Sequence, residues 1–118
     1  MPNPNYRKGT RAERIVKAQL ETMGHHVIRR YASKGPYDLL ALPRLGRPLM
    51  VEVKTGSGRM SPAERDTLYW LAQDHRAEPI HAHYAQGVTT WSFMDWDEAT
   101  GHAEFRPLPI ESGAYRDE

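Results

Sequence analysis

Apolar residues recur at helical spacing near the start of the chain, from Ala12 to Leu20. Thr10 and Glu13 stand at the start of this pattern with the spacing of a capping box, in which side chains bond the free backbone groups of a helix start. The sequence therefore predicts a first helix over residues 11–23.

A stronger helix start lies in the middle of the chain. Ser61 suits the N-cap, Pro62 suits the first helical position, and Glu64 stands three residues after the cap. Leu68 and Ala72 follow at helical spacing. We expect a second helix here, with these two apolar residues on its buried face.

Runs of strand-forming residues lie between and after the two helices. They cover residues 26–32, 37–42, 49–54, 80–84 and 88–93. The third run alternates, so its odd-numbered residues are expected to face one side of a sheet and its even-numbered residues the other. The predicted order is α-β-β-β-α-β-β, an α/β fold with a mixed β-sheet flanked by helices.

The two ends of the chain carry weaker patterns. Residues 1–10 are expected to form a basic N-terminal arm. Residues 97–118 are expected to be a weakly structured extension, because Pro107 and Pro109 cannot donate to a strand ladder. Since the chain is short and has no linker or repeat, residues 1–118 are expected to form a single domain.

The composition narrows the available chemistry. The chain has no cysteine, which excludes disulfides, thiolate metal sites and cysteine nucleophiles. It has no signal-peptide pattern at its start, and no run approaches the roughly 20 apolar residues of a membrane span. We therefore expect a soluble intracellular protein without a membrane partner.

Charge is divided unevenly along the chain. Residues 1–59 hold twelve Lys and Arg against four Asp and Glu, a net charge of +8, whereas the whole chain has a formal charge of +1. A basic half suits a polyanion such as a nucleic-acid backbone, and it is also compatible with an ordinary solvated surface. The positions of the few acidic residues in this half favour binding of a nucleic-acid backbone.

Three charged residues of the basic half have a spacing that suits catalysis. Glu52 and Lys54 are two apart on a predicted strand, so their side chains emerge on one face, and Asp38 begins the neighbouring strand. Two close carboxylates repel unless a cation joins them, and Mg²⁺ accepts such oxygen ligands. The backbone carbonyl of Val53 is a further candidate ligand. Such a site can hydrolyse a phosphodiester, with Lys54 acting either as a base or as a stabiliser of charge.

Structural explanations compete with these assignments. Glu52 and Lys54 can form an ordinary exposed pair, which stabilises a protein little. The capping box alone can explain Glu13, although this residue also lies beside the apolar helical face that packs on the sheet. His81 and His83 share one face of a predicted strand, but no third zinc ligand stands at a useful spacing.

Several segments resemble the archaeal-type Holliday junction resolvases, which are known also from viruses and belong to the PD-(D/E)xK nucleases. The resemblance rests on residues 6–14, 27–33, 35–39, 51–54 and 61–62. Tyr37 departs from it, because it stands where the motif name leads one to expect proline, with Pro36 one position earlier. The resemblance implies a restriction-endonuclease-like nuclease domain. It also implies a homodimer that nicks opposing strands of a four-way junction with Mg²⁺ or Mn²⁺ and no organic cofactor.

The resemblance also implies roles for individual residues. Glu13 matches the helical acidic residue and is a further candidate metal ligand, Asp38 and Glu52 match the metal-binding pair, and Lys54 matches the motif lysine. Ser33 matches a catalytic serine of some members, although it can equally be a plain loop residue. Junction recognition is expected to depend on shape and phosphate contacts. The candidate DNA contacts are Arg7, Lys8, Arg11, Arg14, Arg29, Arg30, Lys34 and Arg59.

Other functions stay open at this point. A small nuclease of the same superfamily could act on flaps, duplex ends or foreign DNA. A catalytically silent junction-binding protein would be expected to lack Asp38, Glu52 or Lys54, and all three are present. A subunit of a larger repair complex would be expected to be monomeric in isolation. The expected location is cytoplasmic, with the nucleoid or with viral DNA.

Overall fold

The computed structural model describes residues 4–30 and 35–108, with side chains from residue 9 onward. These ranges contain two helices, α1 (Pro4–Thr22) and α2 (Pro62–Asp74), and six strands. The strands are β1 (His26–Arg29), β2 (Leu39–Leu42), β3 (Leu49–Thr55), β4 (Glu78–Ala85), β5 (Val88–Asp97) and β6 (His102–Pro107). The predicted α/β class is confirmed. In this part of the chain no helix is long and apolar enough to cross a membrane.

The six strands form one sheet in the order β1-β2-β3-β4-β5-β6. Neighbouring strands are antiparallel except β3 and β4, which are parallel and place Glu52 opposite His81 and Lys54 opposite His83. Parallel neighbours need a crossover connection, which α2 provides. The sheet is therefore mixed, as its sequence predicts.

The two helices pack on opposite faces of the sheet. The buried face of α1, from Ala12 to Leu20, packs with the odd-numbered residues of β3. On the other face, α2 packs through Leu68 and Ala72 beside Met50. The alternation predicted for β3 is confirmed, and residues 52 and 54 therefore lie on the face that α2 covers.

The first helix begins earlier than its sequence pattern suggests. It starts at Pro4 rather than at residue 11, so Thr10 and Glu13 lie inside the helix and the predicted capping box at this point is wrong. The prediction of a separate N-terminal arm is also wrong for residues 4–10, because they belong to α1. Proline is tolerated in the first turn, where its missing N–H has no helical partner to lose. The helix continues through Gly9 despite a propensity about 1 kcal/mol poorer than that of alanine.

The start of α2, in contrast, is confirmed in detail. The Ser61 hydroxyl accepts from the backbone N–H of Glu64 at 3.1 Å, and Glu64 Oε1 accepts from the backbone N–H of Ser61 at 2.8 Å. Pro62 occupies the first turn. All the signals for this start are local, and tertiary contacts leave it unchanged.

The prediction of a weakly structured C-terminal extension is wrong for residues 102–107, which form β6. This strand pairs with β5, from Asp97 opposite His102 to Ser92 opposite Pro107. Pro107 is accepted because β6 is an edge strand and this residue is its last. Residues 98–101 form a turn, where Gly101 has a positive φ of 71°. Residues 109–118 lie outside the described part of the chain.

Candidate active site

Asp38 is fixed just before β2. Its N–H donates to the carbonyl of Val51 at 2.8 Å, and its carbonyl accepts from the N–H of Arg30 at 2.9 Å. Its Oδ2 accepts from the N–H of Val53 at 2.8 Å, and the residue is 7% exposed. The carboxylate is therefore bound to the middle of β3, between the two charged residues of that strand.

Glu52 and Lys54 emerge on the same side of β3, as their spacing predicts. Lys54 Nζ lies 3.4 Å from Glu52 Oε2 and 3.7 Å from Glu64 Oε2. The side chain of Glu52 is 12% exposed and that of Lys54 is 24% exposed. The lysine ammonium thus lies between one carboxylate from the sheet and one from the first turn of α2.

The environment of Glu52 opposes its ionisation. Burial, a hydrogen bond with Asp38 and the charge of Asp38 raise the pKa of Glu52 to about 9, although Lys54 acts in the opposite direction. Glu52 Oε1 is buried and accepts a hydrogen bond from no donor among the described residues. A buried polar atom without a partner costs about 1–3 kcal/mol. This oxygen is therefore available to a ligand.

Glu13 reaches the same region from α1. Its Oε1 accepts from Nε of Arg29 at 2.9 Å, and both side chains are only about 15% exposed. Burial raises the pKa of Glu13, the hydrogen bond from Arg29 opposes this shift, and the charge of Asp38 adds to it. The partner of Glu13 is thus a strand residue and not the backbone of its own helix.

The donor set around Asp38 suits a hard divalent cation. The charge of Asp38 raises the pKa values of both Glu13 and Glu52, so Asp38 repels each of the other two carboxylates. A cation relieves such repulsion, and oxygen ligands suit Mg²⁺ and Mn²⁺. Because the N–H and C=O of one strand residue point to the same edge, the carbonyl of Val53 faces Asp38. As the side chains stand, no three His, Cys, Asp or Glu within residues 4–30 and 35–108 form a ready metal-binding group.

A cleft of about 320 Å³ opens beside Glu52 on the α2 side of the sheet. Its lining consists of Gly35, Pro36, Glu52, Met60, Ala63, Glu64 and Thr67. The cleft thus extends from the segment before β2 to the first turn of α2. A ligand that enters it contacts Glu52, which is one of the lining residues.

The family of the chain follows from comparison with known proteins. The family described as archaeal Holliday junction resolvase (Hjc) matches residues 4–105. This chain belongs to that family. The resemblance found in the sequence is therefore confirmed, and membership in the resolvase family makes the chain a nuclease that acts on branched DNA.

Solved structures agree with this family. The Holliday junction resolvase Hjc of the archaeal hyperthermophile Archaeoglobus fulgidus is 26% identical, with a TM-score of 0.62 over 81% of each chain. The bacterial homing endonuclease I-Ssp6803I is 15% identical, with a TM-score of 0.51 over 98% of this chain and 84% of its own. The second likeness concerns the fold alone. No curated protein sequence matches the chain significantly.

The residues predicted to bind DNA differ in their placement. Arg11, Arg14 and Arg59 are exposed, although Arg59 also donates to carbonyls of its own loop at 2.9 and 3.4 Å. Arg7 and Lys8 lie on α1, but their side chains are outside the described part of the chain. Ser33 and Lys34 are outside it entirely. Their proposed roles stay predictions.

Arg29 and Arg30 have partners within the protein. Arg29 binds Glu13 and lines a second cleft of about 360 Å³ with Arg14, Lys17 and Glu21. The guanidinium of Arg30 lies 5.0 Å from the ring centre of Tyr37. The same guanidinium lies against Gly35, so a side chain at position 35 would overlap it. Pairing between Glu13 and Arg29 was missed at the sequence level, because the two residues come from separate elements.

His81 and His83 are neighbours of the site rather than a zinc centre. Burial, followed by the charges of His83, Lys54 and Arg59, lowers the pKa of His81 to about 4. The ring of His81 packs 4.6 Å from that of Phe105, and His83 Nε2 lies 2.7 Å from the carbonyl of Gly56. The described residues add no third ligand to this pair.

Proposed function

We propose that the chain is a divalent-metal-dependent endonuclease that resolves four-way DNA junctions as a homodimer, with one nick made by each protomer. The observation that carries this proposal is the close pair of carboxyls, Glu52 and Asp38, in which the buried Glu52 Oε1 accepts from no donor among the described residues. A purely structural ion pair does not account for two such close carboxyls and a buried oxygen without a donor. A metal ligand accounts for both features.

Asp38 and Glu52 would hold the cation, with the carbonyl of Val53 and the carboxylate of Glu13 as further ligands. When bound, Mg²⁺ or Mn²⁺ supplies charge neutralisation at the phosphate and lowers the pKa of a bound water. The pKa of about 9 for Glu52 belongs to the protein without a cation, since a positive charge at this position favours the ionised carboxylate.

The side chains of the site have distinct tasks in the hydrolysis. A water oxygen forms a bond to phosphorus while the bond to the leaving oxygen breaks, and one proton leaves the water as another reaches the leaving group. Lys54, whose ammonium lies between two residues that line the cleft, Glu52 and Glu64, stabilises the negative charge that develops on the phosphoryl oxygens. Arg29 holds the carboxylate of Glu13 in place beside the site.

The family and the charge distribution support the proposed substrate and assembly. A four-way junction has approximate two-fold symmetry, so a two-fold dimer can place one active site on each of two opposing strands. Phosphate contacts would be made by the basic residues of the first half of the chain. The proposed contacts are Arg7, Lys8, Arg11, Arg14, Arg29, Arg30, Lys34 and Arg59, with Ser33 near the reacting phosphate.

The proposal is tested with Asp38→Asn and Glu52→Gln on labelled four-way junction, flap, duplex and single-stranded DNA. Each variant should lose cleavage by roughly 100-fold or more, since the metal ligand is lost. Junction affinity should stay within about tenfold, because removal of a carboxylate lessens repulsion of phosphate. Asparagine at position 38 keeps an oxygen that can accept the N–H of Val53.

Glu98→Gln, in the exposed turn before β6, serves as the matched control and should cut as the wild type does. Wild-type cleavage should appear as paired symmetric nicks that need Mg²⁺ or Mn²⁺ and stop with chelator. Equal cutting of flaps or duplex ends would indicate another nuclease activity, and tight junction binding without cutting would indicate a silent binder. Light scattering that finds a monomer on the junction would contradict the dimer.

A further inference from the structure

The two oxygens of the Glu64 carboxylate have different neighbours. Oε1 accepts from the backbone N–H of Ser61 at 2.8 Å and so completes the cap of α2. Oε2 lies 3.7 Å from Nζ of Lys54. One side chain thus joins the start of a helix to the motif lysine on β3.

Capping explains only half of this arrangement. A capping box accepts Glu or Gln at this position, because a single side-chain oxygen is enough for the backbone N–H. The cap therefore does not require the second oxygen or the negative charge. The direction of the pKa shift agrees with a second interaction, since the pKa of Glu64 is lowered first by Ser61 and also by Lys54.

The position of Lys54 suggests why its contact with Glu64 matters. Its other carboxylate neighbour is Glu52, at 3.4 Å, which the proposed function uses as a metal ligand. A cation there competes with the lysine for the same carboxylate. Glu64 offers a second anionic partner that lines the cleft but takes no part in the donor set around Asp38.

We propose that Glu64 is a positioning residue that holds the ammonium group of Lys54 beside Glu52 through Oε2, while Oε1 caps α2. This inference rests on the proposed function for its effect on cleavage. The contact itself does not depend on that function, so the two can be tested separately.

Glu64→Gln is the informative variant, because it can keep the Ser61 bond and removes the charge. Ser61→Ala is its matched control, because it weakens the cap through the lost hydroxyl but keeps the backbone N–H that binds Glu64. The chain has four lysines, Lys8, Lys17, Lys34 and Lys54, so side-chain NMR of ¹³C,¹⁵N-lysine protein can resolve each of them.

In Glu64→Gln the side chain of Lys54 should become more mobile, with a changed ammonium signal, while Lys17 and its partner Glu21 stay as in the wild type. Single-turnover cleavage at saturating junction should fall roughly tenfold because the lysine is less well oriented. Junction affinity should be equal or slightly higher. In Ser61→Ala the melting temperature should fall, whereas the Lys54 signal and the cleavage rate should not change.

Two results would overturn the inference. An unchanged Lys54 signal in Glu64→Gln would show that Glu64 does not hold the lysine. A changed signal with wild-type cleavage would show that the contact has no role in turnover. If the wild-type protein cuts no DNA, the proposed function fails, and the NMR result still decides whether the contact exists.

Discussion

Glu52, a proposed metal ligand, is expected to lower the stability of the folded protein when its carboxyl ionises. The side chain is largely buried beside Asp38, and burial is the largest cause of its raised pKa. In an unfolded chain the same carboxyl is hydrated and ionises near its ordinary value of 4.5. The folded protein therefore binds a proton here that the unfolded chain releases, and stability depends on pH.

The first stability prediction concerns Glu52→Gln in protein without added metal. A raised folded pKa means that the stability contributed by Glu52 is fully present below about pH 4.5 and is lost as pH rises toward about 9. Glutamine stays neutral throughout. The melting temperature of the variant should match that of the wild type near pH 4. At pH 8 it should be higher than that of the wild type by about 5 °C or more.

Calorimetry or circular dichroism at several pH values, in the presence of chelator, measures this difference. Glu98→Gln is again the control, since its exposed side chain should give no comparable rise. Added Mg²⁺ should narrow the gap at pH 8, because a ligand that binds only the folded wild type stabilises it. A gap that is constant from pH 4 to pH 8 would argue against the assigned ionisation of Glu52.

At the scale of elements, the pair Glu13 and Arg29 joins α1 to β1 next to the site. Local sequence signals were sufficient to predict the start of α2, whose cap lies within four consecutive residues. The same kind of signal misplaced the start of α1, because Thr10 and Glu13 have the spacing of a cap but lie inside the helix. The spacing of Glu52 and Lys54 gave their shared face correctly, since strand geometry fixes it.

Contacts between elements that are distant in sequence could not be predicted from local spacing. For Arg29 the sequence predicted a DNA contact, but it did not reveal the bond from its guanidinium to Glu13, sixteen residues away in sequence. The second contact of Glu64 depends on how the loop after β3 returns α2 to the sheet. Such pairings are decided by packing of whole elements, which neither periodicity nor spacing describes.

A double-mutant cycle on Glu13 and Arg29 tests the connection between α1 and β1. Both side chains are about 15% exposed, so removal of either one breaks a largely buried ion pair. Arg29→Gln should destabilise the protein by about 1–3 kcal/mol, and the coupling between Arg29→Gln and Glu13→Gln should be about 1 kcal/mol or more.

Urea denaturation of the wild type, both single variants and the double variant provides the coupling energy. The exposed pair Lys17 and Glu21 on the same helix is the control, with a coupling of about 0.5 kcal/mol or less. If the two pairs gave equal coupling, the bond between Glu13 and Arg29 would be an ordinary surface ion pair.

For the whole molecule, one sheet serves two separate apolar layers. Trp91 belongs to the layer under α1, whereas Trp96 packs with Tyr69 and Trp70 beside α2. The strand missed in the sequence, β6, helps to close the second layer. Arg65 of α2 donates to the carbonyl of Ala103 at 2.7 Å, and Asp66 accepts from the N–H of the same residue at 2.7 Å. These bonds tie the helix to the edge of the sheet.

Because β2, β3 and β5 carry residues of both layers, neither layer can unfold while the other keeps its sheet. We therefore expect the whole domain to unfold in one cooperative transition. Tryptophan residues on either face of the sheet should report the same transition. Trp91→Phe leaves fluorescence from the α2 side, and the double variant Trp70→Phe, Trp96→Phe leaves it from the α1 side. Within each variant, the urea midpoint from fluorescence should coincide with that from far-ultraviolet circular dichroism. Separate midpoints on the two faces would mean that the layers fold independently. The proposed active site, which takes Glu13 from the α1 side and Glu64 from the α2 side, would then depend on their association.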